Sequence, residues 1–150
     1  SDVFPVKFFD ICRHHRVLWG RDVLADLPIA REHLRLRCEQ ELRNLALRLR
    51  RFYVMRARRP EQLKATLGSA LSSLLSGLAV MLHLRGHDVP ASRRAVAETA
   101  ARALSLDGKA ISDALELKTG SVIPDEAELR RRYGAFLAVA TRAAEAADKM

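Results

Sequence analysis

The stretch ATLGSALSSLLSGLAVMLHL, residues 65–84, decides the fold of this chain. None of its 20 residues carries a formal charge, and a helix of this length is long enough to cross a bilayer. It also holds Thr66, four serines and two glycines, and basic residues flank it on both sides. We therefore interpret it as the buried central helix of a bundle rather than as a membrane span, with its small residues allowing neighbouring helices to approach closely.

Helix signals continue outward from this stretch. Pro60 suits the first turn of the central helix and Gly86 suits its end. Asp107 can cap a later helix, which Gly120 ends, and Asp125 can cap the last helix. The predicted helices cover residues 30–58, 60–85, 91–104, 107–120 and 125–150. Because Leu, Ala and Arg dominate the composition, we predict an all-α, antiparallel bundle of about five helices over residues 30–150.

The N-terminal residues 1–29 have a different pattern. Residues 4–11, FPVKFFDI, are rich in Phe and Val and have Pro5 near their start, which predicts a strand. Residues 17–20, VLWG, predict a second short strand or a turn. Since two short strands are marginal in water, we interpret residues 1–29 as the end of an absent α/β domain and a connector. We expect residues 4–11 to be exposed, irregular or paired with a neighbouring copy.

The predicted helix over residues 30–58 carries two apolar stripes. A second stripe of Leu36, Leu47 and Val54 lies about 160° around the helix from the first, at 100° per residue. Two stripes predict a helix that is packed on two sides. The first stripe consists of Leu34, Cys38, Leu42, Leu45, Leu49 and Phe52.

A polar strip between the stripes is the candidate ligand-binding site. Arg37, Glu41, Asn44 and Arg48 follow one another at spacings of four, three and four, so they share one helix face. A glutamate between two arginines can orient them, and the asparagine adds a donor and an acceptor. The strip can line a pocket for a phosphorylated or polar ligand. The alternative is a solvated ladder of ion pairs between neighbouring turns.

Positive charge is concentrated in the same helix. Residues 31–59 hold ten arginines and three acids, which accounts for +7 of the chain's net +8. An acidic or phosphate-bearing partner is expected there, although a solvated basic face has the same pattern. A nucleic-acid-binding helical domain is one alternative, but only 5% of residues are aromatic, which leaves little for base stacking. We therefore expect nucleic acid not to be the partner.

No complete catalytic or metal motif is present in the sequence. It has no glycine-rich phosphate loop, no serine-elbow motif and no zinc-ligand spacing. His14 and His15 are adjacent, so on a strand they would point to opposite faces. Cys12 and Cys38 have no Cys-x-x-Cys partner, which favours a reduced, cytoplasmic protein. We predict no metal site and no cofactor in this chain.

Two stretches carry a family resemblance: FPVKFFDICRHHRVLWGRDVL, residues 4–24, and LRLRCEQELRNLALRLRRFYV, residues 34–54. Together they resemble the region that follows the polymerase-β-type catalytic domain in bacterial nucleotidyltransferase-like proteins. The helical part resembles the substrate-binding bundle of kanamycin nucleotidyltransferase and the related HEPN bundles. This implies a C-terminal helical domain that binds a nucleotide or a small-molecule acceptor and works with an upstream nucleotidyltransferase domain, which would use Mg²⁺ and a nucleotide triphosphate.

The sequence also departs from that family. Lys7 stands where the family has a glutamate, and the Gly-Ser…Asp-x-Asp catalytic signature is absent, so the chain is not expected to be catalytic alone. Asp10 resembles the strand-borne carboxylates of the family and is a possible accessory carboxylate. No histidine follows an arginine at the HEPN ribonuclease spacing, which disfavours that activity. The alternative function is a non-enzymatic interaction module, either a homodimer or a toxin–antitoxin-like partner.

Overall fold

The computed structural model describes residues 5–24, 29–56 and 59–150, and within these ranges it contains six helices and no strand. The side chain of residue 56 lies outside this description. The fold class is all-α with bundle-like packing, as predicted. The helices are α1 (Pro5–His14), α2 (Arg31–Arg56), α3 (Pro60–Leu84), α4 (Arg93–Ala103), α5 (Gly108–Thr119) and α6 (Glu126–Asp148).

One helix, α1, was not predicted: it occupies residues for which the sequence predicted a strand. The strand prediction is therefore wrong over residues 5–11, and Phe4 lies outside the described residues. Pro5 has a backbone angle that suits the first helical position. Val6 and Phe9, three residues apart, are buried against the bundle rather than exposed, and α1 packs on α2 and α3. The burial of this apolar face outweighs the β-propensity of Val and Phe.

Residues 17–20 form no strand, and the chain bends at residues 19–20. Gly20 has a positive φ of 82°, a conformation that glycine adopts without strain. Leu18 and Trp19 are 89% and 95% exposed. A side-chain contact links the two ends of this segment, because Nε2 of His15 lies 2.9 Å from the carboxylate of Asp22.

The central helix is α3, which packs against each of the five other helices. By length and composition α3 is the one described helix that would also be able to cross a membrane, and 61% of its most apolar window is buried within the fold. Its buried side chains include Leu63, Leu67, Leu71, Leu74 and Leu78, each 0% exposed. This arrangement is that of a core helix of a bundle.

Only one of the two apolar stripes of α2 is packed. Leu34, Cys38, Leu42, Leu45 and Leu49 are buried, and this broad face serves both α3 and α6. The prediction of packing through a second stripe is wrong: its members are exposed by 48%, 60% and 82% at Leu36, Leu47 and Val54. The reason is that α3 and α6 meet at the first stripe, which leaves no helix to cover the second.

The helix ends follow the sequence signals closely. Asp107 and Asp125 accept hydrogen bonds from the backbone N–H groups of Ala110 and Glu128, at 3.1 and 2.8 Å. Gly86 follows α3 with a φ of 77°, which favours glycine. In α3, α4, α5 and α6 each observed boundary lies within two residues of the predicted one, because a helix cap depends on residues that are close in sequence.

Candidate ligand-binding groove

Arg37 does not share a cavity with the other three residues of the predicted strip. Its Nε lies 3.4 Å from Oε1 of Glu41, and its guanidinium donates to Gln40 at 2.8 Å. It faces a separate depression beside His33 and Leu36. For Arg37 the structure therefore places an ion pair between neighbouring turns, which is the alternative that the spacing left open.

The other three residues of the strip share a groove between α2 and α3. Glu41, Asn44 and Arg48 line it from α2, and Ser73 and Gly77 line it from α3. Its volume is about 420 Å³, within the range of about 300–1,000 Å³ that is usual for small-molecule sites. The helix spacing therefore correctly placed these three polar side chains on one surface.

A second cavity of about 280 Å³ adjoins the first, and Arg48 and Ser73 line both. Its wall includes a half-buried Phe52 on α2 and Ala65 on α3. We call the two cavities together the α2–α3 groove. The remaining lining residues of the second cavity are Leu45, Leu49, Thr66, Ser69 and Ala70.

Small residues on α3 shape this groove. A Cβ atom on Gly77 would lie 2.8 Å from Cδ2 and 3.2 Å from Cγ of Leu42, so the helices approach closely only because residue 77 is glycine. Cys38 donates from its Sγ to the carbonyl of Gly77 at 3.4 Å. Burial raises the pKa of the Cys38 thiol to about 12, so the thiol stays protonated and is not a nucleophile.

The arginines of α2 differ in whether they are bonded to other residues of the chain. Arg48 and Arg51 are exposed and have no hydrogen bond or ion pair with any residue that the structure describes. Of the cations on α2, Arg48 is therefore the one that meets the groove without an internal partner. Bonded arginines of α2 are Arg31 to the carbonyl of Leu84, Arg35 to Glu39, Arg43 to Glu39 and Asp148, and Arg50 to Thr141.

Asp10 does not reach the α2–α3 groove. It lies on α1, where its carboxylate is 3.3 Å from Nδ1 of His14, and it faces a different groove. The ring of His83 packs 4.9 Å from the ring of Phe9, and His87 is exposed beyond the end of α3. Within residues 5–24, 29–56 and 59–150, no three His, Cys, Asp or Glu side chains group as they would around a metal ion.

Sequence reasoning missed the α3 side of the site. Ser69 and Ser73 are four residues apart and line the groove, but we interpreted the serines of α3 only as small packing residues. A signal was present, since serines at residues 69, 72, 73 and 76 recur on one side of an otherwise apolar helix. We call these four residues the serine face.

Comparison of the chain with models of protein families, with curated proteins and with solved structures finds no match. The functional argument therefore rests on the groove and its residues.

Proposed function

We propose that this chain is the helical, ligand-binding domain of a nucleotidyltransferase-like protein, and that its α2–α3 groove binds a nucleotide or another anionic small molecule. The observation that carries the proposal is the position of Arg48. It is a cation with no partner among the described residues, and it lines both cavities of the groove.

The groove matches the chemistry of a ligand with an anionic end and a flat apolar end. Arg48 would bind phosphate oxygens through charge-assisted hydrogen bonds, with Asn44 and Ser73 as further donors. The Phe52 ring in the adjoining cavity offers a surface for a base or another ring. Glu41, the one carboxylate on the described wall, is placed to accept a ligand hydroxyl.

Transfer chemistry is assigned to a separate catalytic domain. Two-metal phosphoryl transfer needs paired carboxylates, and the sequence lacks the Gly-Ser…Asp-x-Asp signature that would provide them. Glu41 alone, engaged with Arg37, does not fit a divalent cation. In this proposal the chain binds and positions the nucleotide or the acceptor, and Mg²⁺ and the triphosphate are held by the partner domain.

Calorimetric titration with ATP and with AMP tests the proposal. Arg48→Gln removes one charge-assisted contact and is expected to weaken binding about tenfold. The matched control is Arg51→Gln, which removes the same charge from the same helix at a residue that lines neither cavity; its affinity is expected to stay within about twofold. Equal losses in the two variants would mean that a diffuse positive field, not the groove, attracts the nucleotide.

A protein-interaction role is the second candidate, and the exposed stripe of Leu36, Leu47 and Val54 favours it. Arginines 43, 50 and 51 flank this stripe, so an acidic amphipathic helix fits it better than a second copy, which would oppose like charges. Val54→Ser, at a stripe residue that lines neither cavity of the α2–α3 groove, would then abolish capture of such a partner and leave nucleotide binding unchanged. Light scattering that gives a monomer, with no partner captured, would contradict this candidate.

A further inference from the structure

A second groove flanks the serine face on its other side, between α1, α3 and α4. Its volume is about 330 Å³. Asp10, Arg13 and His14 of α1 face Ser72 and Ser76 of α3 across it. We call it the α1–α4 groove; its other lining residues are Leu75, Ala79, Ala91, Arg93 and Val96.

Two helices, α1 and α4, each contribute one cation to the lining of this groove. Arg93, the first residue of α4, is exposed and has no hydrogen bond or ion pair with the residues that the structure describes. Arg13 is held in place, because its guanidinium donates to the carbonyls of Val89 and Pro90 at 3.1 and 2.7 Å. Lys118 does not line the groove, but it donates a 2.5 Å hydrogen bond to the hydroxyl of Ser72, which does.

The orientation of His14 adds a polar group to the same wall. Its Nδ1 lies 2.9 Å from the backbone oxygen of Asp10 and 3.3 Å from the carboxylate of that residue. Both neighbours are acceptors, so Nδ1 carries the proton. Its Nε2 has no contact with a described residue and, in this tautomer, can accept a hydrogen bond from a ligand hydroxyl or from the P–OH group of a phosphate.

We propose that the α1–α4 groove is a binding site for a phosphomonoester. Two cations that line the groove, Arg13 and Arg93, outnumber its one carboxylate, and two serine hydroxyls stand beside them as donors, which suits a phosphate group. The volume of the groove leaves room for a small organic group attached to the phosphate. This site is separate from the α2–α3 groove, so neither proposal depends on the other.

Calorimetric titrations with inorganic phosphate and with glycerol 3-phosphate, at constant ionic strength, test this site. Arg93→Gln is expected to weaken binding of both probes about tenfold. Arg94→Gln is the matched control, since Arg94 is the next residue in the same exposed turn and does not line the groove. Tighter binding of glycerol 3-phosphate than of inorganic phosphate would identify the ligand as an ester; tighter binding of inorganic phosphate would contradict that part of the proposal.

A change of opposite sign makes the test sharper. Asp10→Asn removes the one carboxylate on the described wall, so it is expected to tighten phosphate binding several-fold. A merely damaged groove would lose affinity in this variant. Arg48→Gln is expected to leave phosphate binding unchanged, which separates this site from the nucleotide groove. Equal losses in the Arg93 and Arg94 variants, or weaker binding by Asp10→Asn, would overturn the proposal.

Discussion

The two grooves that flank the serine face of α3 differ in how they are built. The α2–α3 groove lies between two long helices, and a single cation with no partner among the described residues, Arg48, lines both of its cavities. In the α1–α4 groove the short helices α1 and α4 face α3, and they contribute two cations, Arg13 and Arg93, and one carboxylate, Asp10. The difference teaches that one row of serines can support two kinds of site, since the surrounding helices decide the charge and the apolar area.

The largest expected change in stability comes from a substitution in α1, the helix that lines the α1–α4 groove but not the α2–α3 groove. Phe9→Ala removes the buried anchor of α1 and should lower the free energy of unfolding by about 3 kcal/mol. The groove should lose phosphate binding, while ATP binding is retained because α2 and α3 remain in place. Urea denaturation measures the loss. The control is Ile11→Ala, at an exposed residue of the same helix, where a change within about 0.5 kcal/mol is expected.

The close approach on the α2–α3 side gives the next effect. Gly77→Ala forces the buried Leu42 to move, and we expect a net loss of roughly 1–2 kcal/mol in unfolding free energy. In Gly134→Ala the new methyl group meets nothing within 4 Å on an exposed helix face, so a gain of up to about 1 kcal/mol is expected. Thermal or chemical denaturation of the pair would refute the packing argument if both substitutions changed stability in the same direction.

A smaller change in stability is expected from the hydrogen bond that joins α6 to α2. Tyr133 on α6 is 0% exposed, and its hydroxyl donates to the carbonyl of Leu49 on α2 at 2.9 Å. Tyr133→Phe should therefore cost about 1 kcal/mol of unfolding free energy. Tyr53, whose ring lies 5.4 Å from that of Tyr133, is half-buried, and Tyr53→Phe should cost less than about 0.5 kcal/mol. A larger loss of unfolding free energy in Tyr53→Phe than in Tyr133→Phe would contradict the assignment of the anchoring hydrogen bond to Tyr133.

The smallest expected effect is a pH-dependent change in stability from the segment that follows α1. The hydrogen bond to the Asp22 carboxylate, together with the Cys12 carbonyl, raises the pKa of His15 above its ordinary value of 6.5. A raised pKa in the folded state means that the stabilisation is fully present below pH 6.5 and is lost as the pH rises through the folded value. Proton NMR titration of His15 measures this, with Asp22→Asn expected to lower the pKa. Titration at or below 6.5 in the unaltered chain would contradict the assigned hydrogen bond.

Local signals allowed much of the fold to be predicted. The caps at Asp107 and Asp125 and the turn at Gly86 depend on neighbouring residues, so their positions follow from the sequence. The helix of Pro5–His14 was missed because its conformation depends on burying Val6 and Phe9 against distant helices. For the same reason the pattern of α2 did not reveal which of its two stripes would be covered.

The candidate site divides in the same way. Spacing along α2 placed Glu41, Asn44 and Arg48 together, because residues three and four apart share a helix face. Ser73 on α3, and Arg93 in the other groove, belong to different helices from the predicted strip. Their position depends on which helix faces meet, and this is a property of the tertiary packing that a spacing rule does not contain.

The most direct test of the proposed function is a titration of the isotope-labelled chain with ATP, followed by NMR at backbone amides and arginine side chains. The account predicts saturable shifts at Arg48 Nε and at the amides of Ser69 and Ser73, with Arg48→Gln removing them. Shifts confined to Arg93, Ser76 and His14, or no saturable shift at any residue, would contradict the assignment of the nucleotide to the α2–α3 groove.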